Sequence, residues 1–385
     1  MTDALGAVPP PRTVRLAPRV TTKALPQDSR VNNRSLVLQM LFETEAMSRA
    51  EIARASGLTR ASVSTLVAEL VGEGVLAELG LAARTGVGKP GMLVGLDADS
   101  SHILALDLSA DDRFIGAVIN LRGVVAYRTE VSLGGATGQA AFEQVAALTA
   151  EIAGRTDRRV LGIGVGTPGI VVPGGTIVEA AHLDWHRFPL GARLADRFGL
   201  PVHVGNDANV AALAVNTFRG VGAGDLIVVN LEQGAGAGIV LGGALLEGEQ
   251  SAAGEIGHVM IDEDGEPCVC GRRGCLELAI AVPHIRRRLS VAGVAQRDEV
   301  LAAAGRALGI ALAPVISALN LNRVVLRGPE DIIAGPLLES ARTTIRLRTM
   351  AVISDQLSIS RAIDGEDLVL LGAAVLVLSA LIGVS

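Results

Sequence analysis

Aromatic residues and cysteines are scarce in this chain of 385 residues. Phe, Tyr and Trp together make up only 2% of it, so a core must be built mainly from Ala, Val, Leu and Ile. Hydrophobic residues still reach 49%, which excludes wholesale disorder and allows two or three domains. Three cysteines without a secretory signal favour a reducing, cytoplasmic location.

Net positive charge is also lacking, since the formal charge is −6 at pH 7. Taken alone, this value argues against nucleic-acid binding. The charge is unevenly distributed, however, because residues 1–95 carry a net charge of +3 and the remainder carries −9. A mildly basic front end on an acidic body is typical of a DNA-binding module joined to a larger domain.

The last 18 residues, 368–385, carry no charge at all. A segment of this length could cross a bilayer, and a buried C-terminal helix that docks on a sheet is the alternative. The segment contains two glycines and lacks a basic flank. We therefore predict the buried helix and no membrane contact.

All three cysteines lie within one segment, GEIGHVMIDEDGEPCVCGRRGCLE, at 254–277. Cys268, Cys270 and Cys275 follow His258, and three thiolates with one imidazole form the ligand set of a closed tetrahedral zinc site. Two glycines between the last two cysteines would let the backbone fold the sulfurs around one ion. Three buried free thiols are the alternative, but the spacing favours a structural zinc ion.

The same segment carries two carboxylates, Glu255 and Glu277, that the metal does not need. Held on one rim with His258, they could accept hydrogen bonds from a polyhydroxylated ligand. A solvated surface charge is the alternative for each glutamate. Their positions beside the metal ligands favour the binding role.

GEIGH followed by CVCGRRGCLE resembles the signature of the ROK family, which groups sugar-responsive repressors with sugar kinases. The resemblance implies an α/β, actin-like (ribonuclease H-like) sugar-kinase fold with two lobes and a ligand cleft between them. We expect a flexible tail over 1–30, an N-terminal all-α, winged helix-turn-helix domain over 31–97, and a sugar-binding domain over 100–385. The C-terminal helix would pack back on the first lobe.

Residues 31–79 have the pattern of three short helices with helix-turn-helix spacing. A capping box at 48–51 would begin the second helix, Gly57 would make the turn, and Thr59 would cap the third. Small polar residues and one arginine at the start of that third helix suit base edges and phosphates. An ordinary three-helix packing unit is the alternative, but the spacing favours DNA binding.

A β-ribbon follows, with strands predicted at 75–79 and 92–96 and a Gly/Pro loop between them. A cation in such a loop can reach along a minor groove or a phosphate backbone, and the arrangement resembles the wing of ROK repressors. We expect DNA contacts from eight side chains: Ser48, Thr59, Arg60, Ser62, Ser64, Thr65, Arg84 and Lys89.

From residue 102 onward, strands alternate with helices. Strands are predicted at 102–109, 114–120, 124–131, 160–171, 201–204, 323–326 and from 226, and helices at 138–154, 206–215, 300–319 and 332–349. Two successive β-β-β-α units resemble the actin-like fold of ROK sugar kinases.

A sugar kinase needs a base for the attacking hydroxyl and loops that cradle the ATP phosphates. Asp207, in the segment NDAN, matches the base of ROK kinases, and a helix N-cap is a further role for it. The resemblance implies sugar contacts from Asn206, Asp207, Glu255, His258 and Glu277.

The three phosphate loops depart from the kinase pattern. Where ROK kinases have Asp-x-Gly-Gly-Thr, residues 107–111 are DLSAD, without either glycine and with an added acid. Residues 232–236, EQGAG, begin with a glutamate where a kinase has glycine, and Arg327-Gly328 replaces a Gly-Gly pair. Because carboxylates repel polyphosphate, we expect no catalytic residue and no phosphoryl transfer.

These features predict a sugar-responsive DNA-binding transcriptional regulator, most simply a repressor. Its partners would be operator DNA and a small sugar, and a palindromic site would require a homodimer or homotetramer. An ATP-dependent sugar kinase with an accessory DNA-binding domain is the alternative. A third possibility, a scaffold that senses a partner protein through its acidic body, has no specific feature in its favour.

Overall fold

The computed structural model describes residues 26–81, 91–218, 224–363 and 365–382. Within them, a winged helix-turn-helix domain precedes a two-lobed α/β domain, which confirms the predicted fold class. Two of the expected DNA contacts, Arg84 and Lys89, lie outside the described residues, as do residues 1–25 of the expected tail.

The N-terminal domain combines three helices with a three-stranded sheet. Its elements are α1 (Pro26–Glu43), β1 (Met47–Ser48), α2 (Arg49–Ser56), α3 (Arg60–Gly72), β2 (Leu76–Leu81) and β3 (Met92–Leu96). Residues 26–30, expected in the tail, belong to α1. The predicted ribbon forms between β2 and β3, while the pairing of β1 with β3 was not anticipated.

Side-chain caps fix the two helices of the helix-turn-helix. The Ser48 hydroxyl accepts from Glu51 N, and the Glu51 carboxylate accepts from Ser48 N at 2.7 Å, which completes the predicted capping box. Gly57 ends α2 with a left-handed φ of +73°. Thr59 Oγ1 accepts from Ser62 N at 3.1 Å and thereby begins α3.

In the part of the chain that the structure describes, the first lobe contains, besides a 3-10 turn at Ala181–Leu183, eight strands and three α-helices. They are β4 (Ser101–Asp107), β5 (Arg113–Asn120), β6 (Val125–Ser132), α4 (Gly138–Ala153), β7 (Arg159–Thr167), β8 (Ile170–Val172), β9 (Thr176–Ala180), β10 (Trp185–Phe188), α5 (Leu190–Phe198), β11 (Val202–Asn206) and α6 (Asp207–Phe218). The main sheet has the order β11-β7-β4-β5-β6, in which β4 to β6 run antiparallel and β7 and β11 run parallel to β4. Strands β8 to β10 form a separate small sheet.

The second lobe repeats this arrangement. Its elements are β12 (Leu226–Leu231), β13 (Ala235–Leu241), β14 (Ala244–Leu245), α7 (Leu276–Ile280), α8 (Val282–Val291), α9 (Arg297–Leu319), β15 (Arg323–Arg327), α10 (Glu330–Ile333), α11 (Pro336–Arg348), α12 (Ala351–Ser354) and β16 (Ser358–Arg361). They are followed by α13 (Leu368–Ile382), which returns to the first lobe. The sheet order is β14-β13-β12-β15-β16, with an antiparallel β12–β13 pair and parallel β15 and β16. The predicted duplication is therefore confirmed.

The C-terminal helix α13 packs against β7 and α6 of the first lobe. Glycines permit this close approach, because a Cβ on Gly164 would lie 1.9 Å from Ala373 O and one on Gly372 would lie 1.8 Å from Val210 O. The predicted burial of this helix is confirmed. Among the described helices, the segment Val294–Leu319, which contains α9, has the length and apolarity of a membrane span, but 56% of its most apolar 18-residue window is buried inside the fold, so this is weak evidence.

One apolar core crosses the boundary between the two domains. Leu38 and Leu41 of α1 belong to the same buried cluster as Val210 of α6 and Leu370 of α13. The helix-turn-helix domain is therefore packed onto the first lobe through buried side chains.

Candidate functional site

His258, Cys268, Cys270 and Cys275 converge on one point. One ligand atom from each lies within 4.8 Å of every other. Cys268 Sγ is 3.7 Å from His258 Nδ1, and Cys270 Sγ is 3.6 Å from Cys275 Sγ. A tetrahedral zinc ion with Zn–S bonds of about 2.3 Å separates its sulfurs by about 3.8 Å. The cluster therefore fits a four-coordinate metal ion.

The loop that carries these ligands depends on two left-handed glycines. Gly271 has a φ of +84° and Gly274 a φ of +59°, as the predicted folding of the loop requires. A Cβ on Gly274 would lie 1.6 Å from Asp262 O, whereas a Cβ on Gly271 would meet open space. Two β-bridges then hold the chain between the ligands.

Glu255 and Glu277 lie beside the metal cluster, both partly buried. Burial raises the pKa of Glu255; the nearby His258 opposes this effect and Glu277 adds to it. Glu277 Oε2 accepts from the backbone N–H of Ala235 at 3.2 Å, which fixes one of its oxygens against β13. The two carboxylates and the histidine thus form one polar group.

The GEIGH segment lies directly on β13 because its glycines leave no side chain in the way. A Cβ on Gly254 would lie 1.8 Å from Ala237 O, and one on Gly257 would lie 2.1 Å from Ala235 O. This contact brings the segment to the start of α6. The charge of Glu255 is close enough to Asp207 to raise the pKa of that residue.

Asn206 and Asp207 stand at the junction of β11 and α6. Asn206 Oδ1 accepts from the backbone N–H groups of Ala208 and Asn209 at 3.0 and 3.1 Å. Asn206, rather than Asp207, therefore caps the helix. Its Nδ2 donates to Gly169 O at 3.1 Å.

Asp207 is held by two hydrogen bonds within a buried position. Its Oδ1 accepts from Ala208 N at 2.9 Å, and its Oδ2 accepts from Asn230 Nδ2 at 2.7 Å. Burial raises the pKa of Asp207 to about 7, although the positive charge of Arg327 acts in the opposite direction. A carboxyl with a pKa near neutrality can exchange a proton near pH 7, and its ionised form can accept a hydrogen bond from a hydroxyl.

The loops at 107–111, 232–236 and 327–328 meet in one cavity of about 440 Å³, lined by Asp107, Ser109, Glu232, Arg327 and Gly328 among others. An arginine from the protein itself occupies its wall. Arg327 lies 3.7 Å from Asp107 Oδ2 and 3.5 Å from Glu232 Oε1. Burial raises the pKa of Glu232, and Arg327 opposes that shift. The sequence pattern identified these loops only as departures from the phosphate loops of kinases. It did not reveal the pairing of Arg327 with Asp107 and Glu232, which depends on the tertiary fold.

The third helix of the N-terminal domain buries one face and exposes the other. Val63, Leu66, Val67 and Leu70 are buried as predicted. Arg60, Ser64 and Thr65 are exposed, as is the cap Thr59, while Ser62 is partly buried. Ser48 is only 9% exposed and its hydroxyl is hydrogen-bonded to Glu51, so of the described DNA-contact candidates it has little free surface, and its role stays a prediction.

Family comparisons agree with this architecture. The chain matches the ROK family over residues 104–380 and the IclR helix-turn-helix domain over residues 36–80. A solved ROK family transcriptional regulator, a homologue of the Escherichia coli MLC protein, superposes with a TM-score of 0.80 at 23% identity, covering 92% of this chain and 97% of that one.

Curated relatives include both regulators and kinases. A putative xylose repressor from Caldicellulosiruptor sp. (strain Rt8B.4) is 34% identical over 64% of this chain, which spans 62% of that protein. The xylose repressor of Caldicellulosiruptor bescii is 28% identical and covers 90% of this chain and 95% of its own length. A glucokinase from Halalkalibacterium halodurans is 31% identical, over 60% of this chain and 83% of that enzyme.

Proposed function

Because the chain belongs to the ROK family, we propose that it is a sugar-responsive DNA-binding transcriptional regulator that acts as a repressor. The observation that carries this proposal is a helix-turn-helix with an exposed polar third helix, packed in one chain onto a ROK domain. The extent of similarity supports it, since a xylose repressor matches over 90% of the chain and a glucokinase over 60%.

In this proposal, α3 enters the major groove of operator DNA. Thr59, Arg60, Ser64 and Thr65 lie on its exposed side or at its start, where short polar side chains and a guanidinium can reach bases and phosphates. Ser62 would contribute from its partly buried position, and Arg84 and Lys89 from the wing. A palindromic operator calls for two such helices, so the protein would act as a homodimer or homotetramer in the cytoplasm.

The small-molecule effector would be a sugar bound by Asn206, Asp207, Glu255, His258 and Glu277. Support comes from the mutual influence of these groups, because Glu255 raises the pKa of Asp207 and Glu277 raises that of Glu255. Carboxylates are acceptors for sugar hydroxyls, and buried acceptors discriminate between hydroxyl patterns. Bound sugar would alter lobe geometry and with it the spacing of the two recognition helices.

The metal in the cysteine cluster would be zinc in a structural role. Three sulfurs and one imidazole nitrogen form a donor set that zinc favours, and their separations suit a tetrahedron. The ion would hold the 254–277 segment in shape. His258 would then contact the sugar side through its remaining ring nitrogen.

Phosphoryl transfer is not part of the proposed function. The cavity formed by these three loops presents Glu232, a carboxylate where kinases have glycine, whose negative charge opposes ATP phosphates, and Arg327 is already paired with Glu232 and Asp107. The kinase alternative rests on Asp207, which retains a pKa suited to a base. Sugar-dependent release of ADP from ATP would establish that alternative.

The proposal is tested with the full-length protein in two steps. DNA duplexes bound by the protein are first selected from a random library, and their affinity is then measured by fluorescence anisotropy with and without D-xylose, D-glucose or N-acetylglucosamine. We expect one sugar to change the DNA affinity by about tenfold or more. Failure to enrich any sequence would overturn the regulator, and DNA binding unaffected by a wide sugar panel would overturn sugar sensing.

A further inference from the structure

Arg327 is a buried cation with four partners. It is 5% exposed, and its guanidinium donates to Asn230 Oδ1 at 2.7 Å and to Gly365 O at 2.8 Å. The carboxylates of Asp107 and Glu232 lie 3.7 and 3.5 Å away. A buried charge persists only when it is paired and hydrogen-bonded, and this guanidinium meets both conditions.

The contact with Asn230 has a consequence for Asp207. A guanidinium can only donate, so it binds the oxygen of the Asn230 amide and fixes the orientation of that amide. The amide nitrogen must then face the other way, where Asn230 Nδ2 donates to Asp207 Oδ2 at 2.7 Å. With Arg327 absent, the Asn230 oxygen loses the donor that holds it, and the amide that positions the Asp207 carboxylate is no longer fixed at both ends.

Arg327 also joins the two lobes. It ends β15 of the second lobe, whereas Asp107 ends β4 of the first. Their charges face each other across the cavity between the lobes. Asp107 is only 3% exposed, and its Oδ1 accepts from Ser109 N at 2.8 Å, so its position is fixed by its own loop.

We propose that Arg327 is a positioning residue for sugar recognition, which orients the Asp207 carboxylate through Asn230 and is itself held by Asp107 of the opposite lobe. This inference rests on the proposed sugar-binding function. It assigns a role to an arginine that lines the cavity of the three phosphate loops and reaches Asp207 only through Asn230. A charge internal to the protein then organises the sugar site without a nucleotide.

A double-mutant cycle tests this relay, that is, the path from Arg327 through Asn230 to Asp207. Affinities of full-length protein for D-xylose, D-glucose and N-acetylglucosamine are measured by titration calorimetry for wild type, Arg327→Met, Asn230→Ala and the double variant. Each single substitution should weaken binding of the recognised sugar by about tenfold or more. The double variant should bind no worse than the weaker single variant, because both substitutions break one path. The proposal would be overturned if the loss of affinity in the double variant equalled the product of the two single losses, or if Arg327→Met bound sugar within twofold of wild type.

Arg361→Met is the matched control, since Arg361 lines the same cavity but pairs with Glu330 and has no link to Asp207. Its sugar affinity should stay within twofold of wild type; an equal loss would show a general charge effect and overturn the relay. If Arg327→Met does not fold, Arg327→Met with Asp107→Asn removes the cation together with the more deeply buried of its two carboxylate partners, and the loss should equal that of Asn230→Ala. An unchanged affinity in that variant would overturn the proposal. Absence of sugar binding by wild type would instead overturn the proposed function and this inference together.

Discussion

The ring of Phe218 lies 5.7 Å from the ring of Phe42, and the two residues belong to different domains. Phe218 ends α6, the helix that starts at Asp207 in the cleft, and Phe42 lies in the last turn of α1. Arg122 adds three hydrogen bonds to backbone carbonyls at the end of α1, of which the shortest, to Phe42 O, is 2.7 Å. One helix, about 18 Å long at 1.5 Å per residue, therefore connects the cleft to the domain junction.

We expect Arg122→Ala to weaken the effect of sugar on DNA binding while sparing sugar affinity. The substitution removes the three hydrogen bonds to the carbonyls at the end of α1 and weakens the attachment of that helix to the first lobe. The ratio of DNA affinities without and with sugar should move toward one by about tenfold. Arg155→Ala is the control, because the Arg155 guanidinium lies over the ring of Tyr127 within the first lobe, whereas that of Arg122 lies over the ring of Phe42 across the domain junction. A wild-type ratio in Arg122→Ala would exclude this route.

Cys270→Ala should lose zinc and the sugar response together. Cys270 supplies one of four ligands, and without the ion the segment that carries Glu255 and His258 is no longer held. Zinc content is measured by mass spectrometry, and the sugar response by the shift in thermal unfolding. Val269→Ala, a change at the neighbouring residue, which is 91% exposed, should leave both unchanged. A full sugar response in metal-free protein would contradict the structural role of zinc.

Two glycines of the same loop should differ sharply in their tolerance of alanine. Gly271→Ala adds a methyl group to open space and costs only backbone strain, about 1 kcal/mol. Gly274→Ala would bring a Cβ to 1.6 Å from Asp262 O, so the loop must move, at a cost of about 3 kcal/mol or more. Zinc affinity and unfolding by urea are measured for both variants. Equal behaviour of the two would contradict the described loop.

The Asp207 carboxyl should make the fold less stable as the pH rises. Burial raises its pKa from 3.8 to about 7. Between those values the folded state keeps a proton that the unfolded state has lost, so stability present at acid pH is lost as the pH approaches 7. The slope is at most about 1.4 kcal/mol per pH unit. Urea unfolding at about pH 5 and about pH 7 should show wild type losing stability relative to Asp207→Asn. Parallel pH profiles would count against the shifted pKa.

Arg60→Ala should weaken DNA binding through the loss of a phosphate or base contact. Removal of one phosphate contact reduces the slope of log affinity against log salt by about 1, whereas loss of a base contact costs about 1–3 kcal/mol at one operator position. Arg158→Ala, an exposed arginine of the first lobe paired with Asp157, is the control. Unchanged affinity and salt dependence in Arg60→Ala would remove α3 as the recognition helix.

Local patterns in the sequence were sufficient for most of the fold and for the metal cluster. The capping box at Ser48 and the cap at Thr59 act within three residues, and the cysteine spacing specifies ligands within one short segment. Most strands of the two main sheets follow from their apolar runs, whereas the short edge strands β14 and β16 lack such a run and were not predicted. These features depend on neighbours in the chain, so the sequence states them directly.

The contacts that were missed depend on residues far apart in the chain. Asn230 and Arg327 are separated by 97 positions, and Asp107 lies still farther from Arg327 in the chain, so no spacing rule connects the three residues. The strand β1 is only two residues long and was not predicted. The single strand predicted at 160–171 corresponds to two strands, β7 of the main sheet and β8 of the small sheet. Short elements of this kind form because the surrounding fold supplies their pairing partners.

The shared core has a consequence for the modular exchange of domains among related proteins. A helix-turn-helix segment transplanted from a relative would bring its own residue to the position of Phe42 and meet Phe218 and the Arg122 turn of this chain. Chimeras that change operator preference should therefore fold and respond to sugar only when the residues on both sides of this domain junction, Phe42 on one side and Arg122 and Phe218 on the other, are exchanged together. A change of DNA specificity by exchange of the helix-turn-helix domain therefore requires matching substitutions on the surface of the first lobe that this domain contacts.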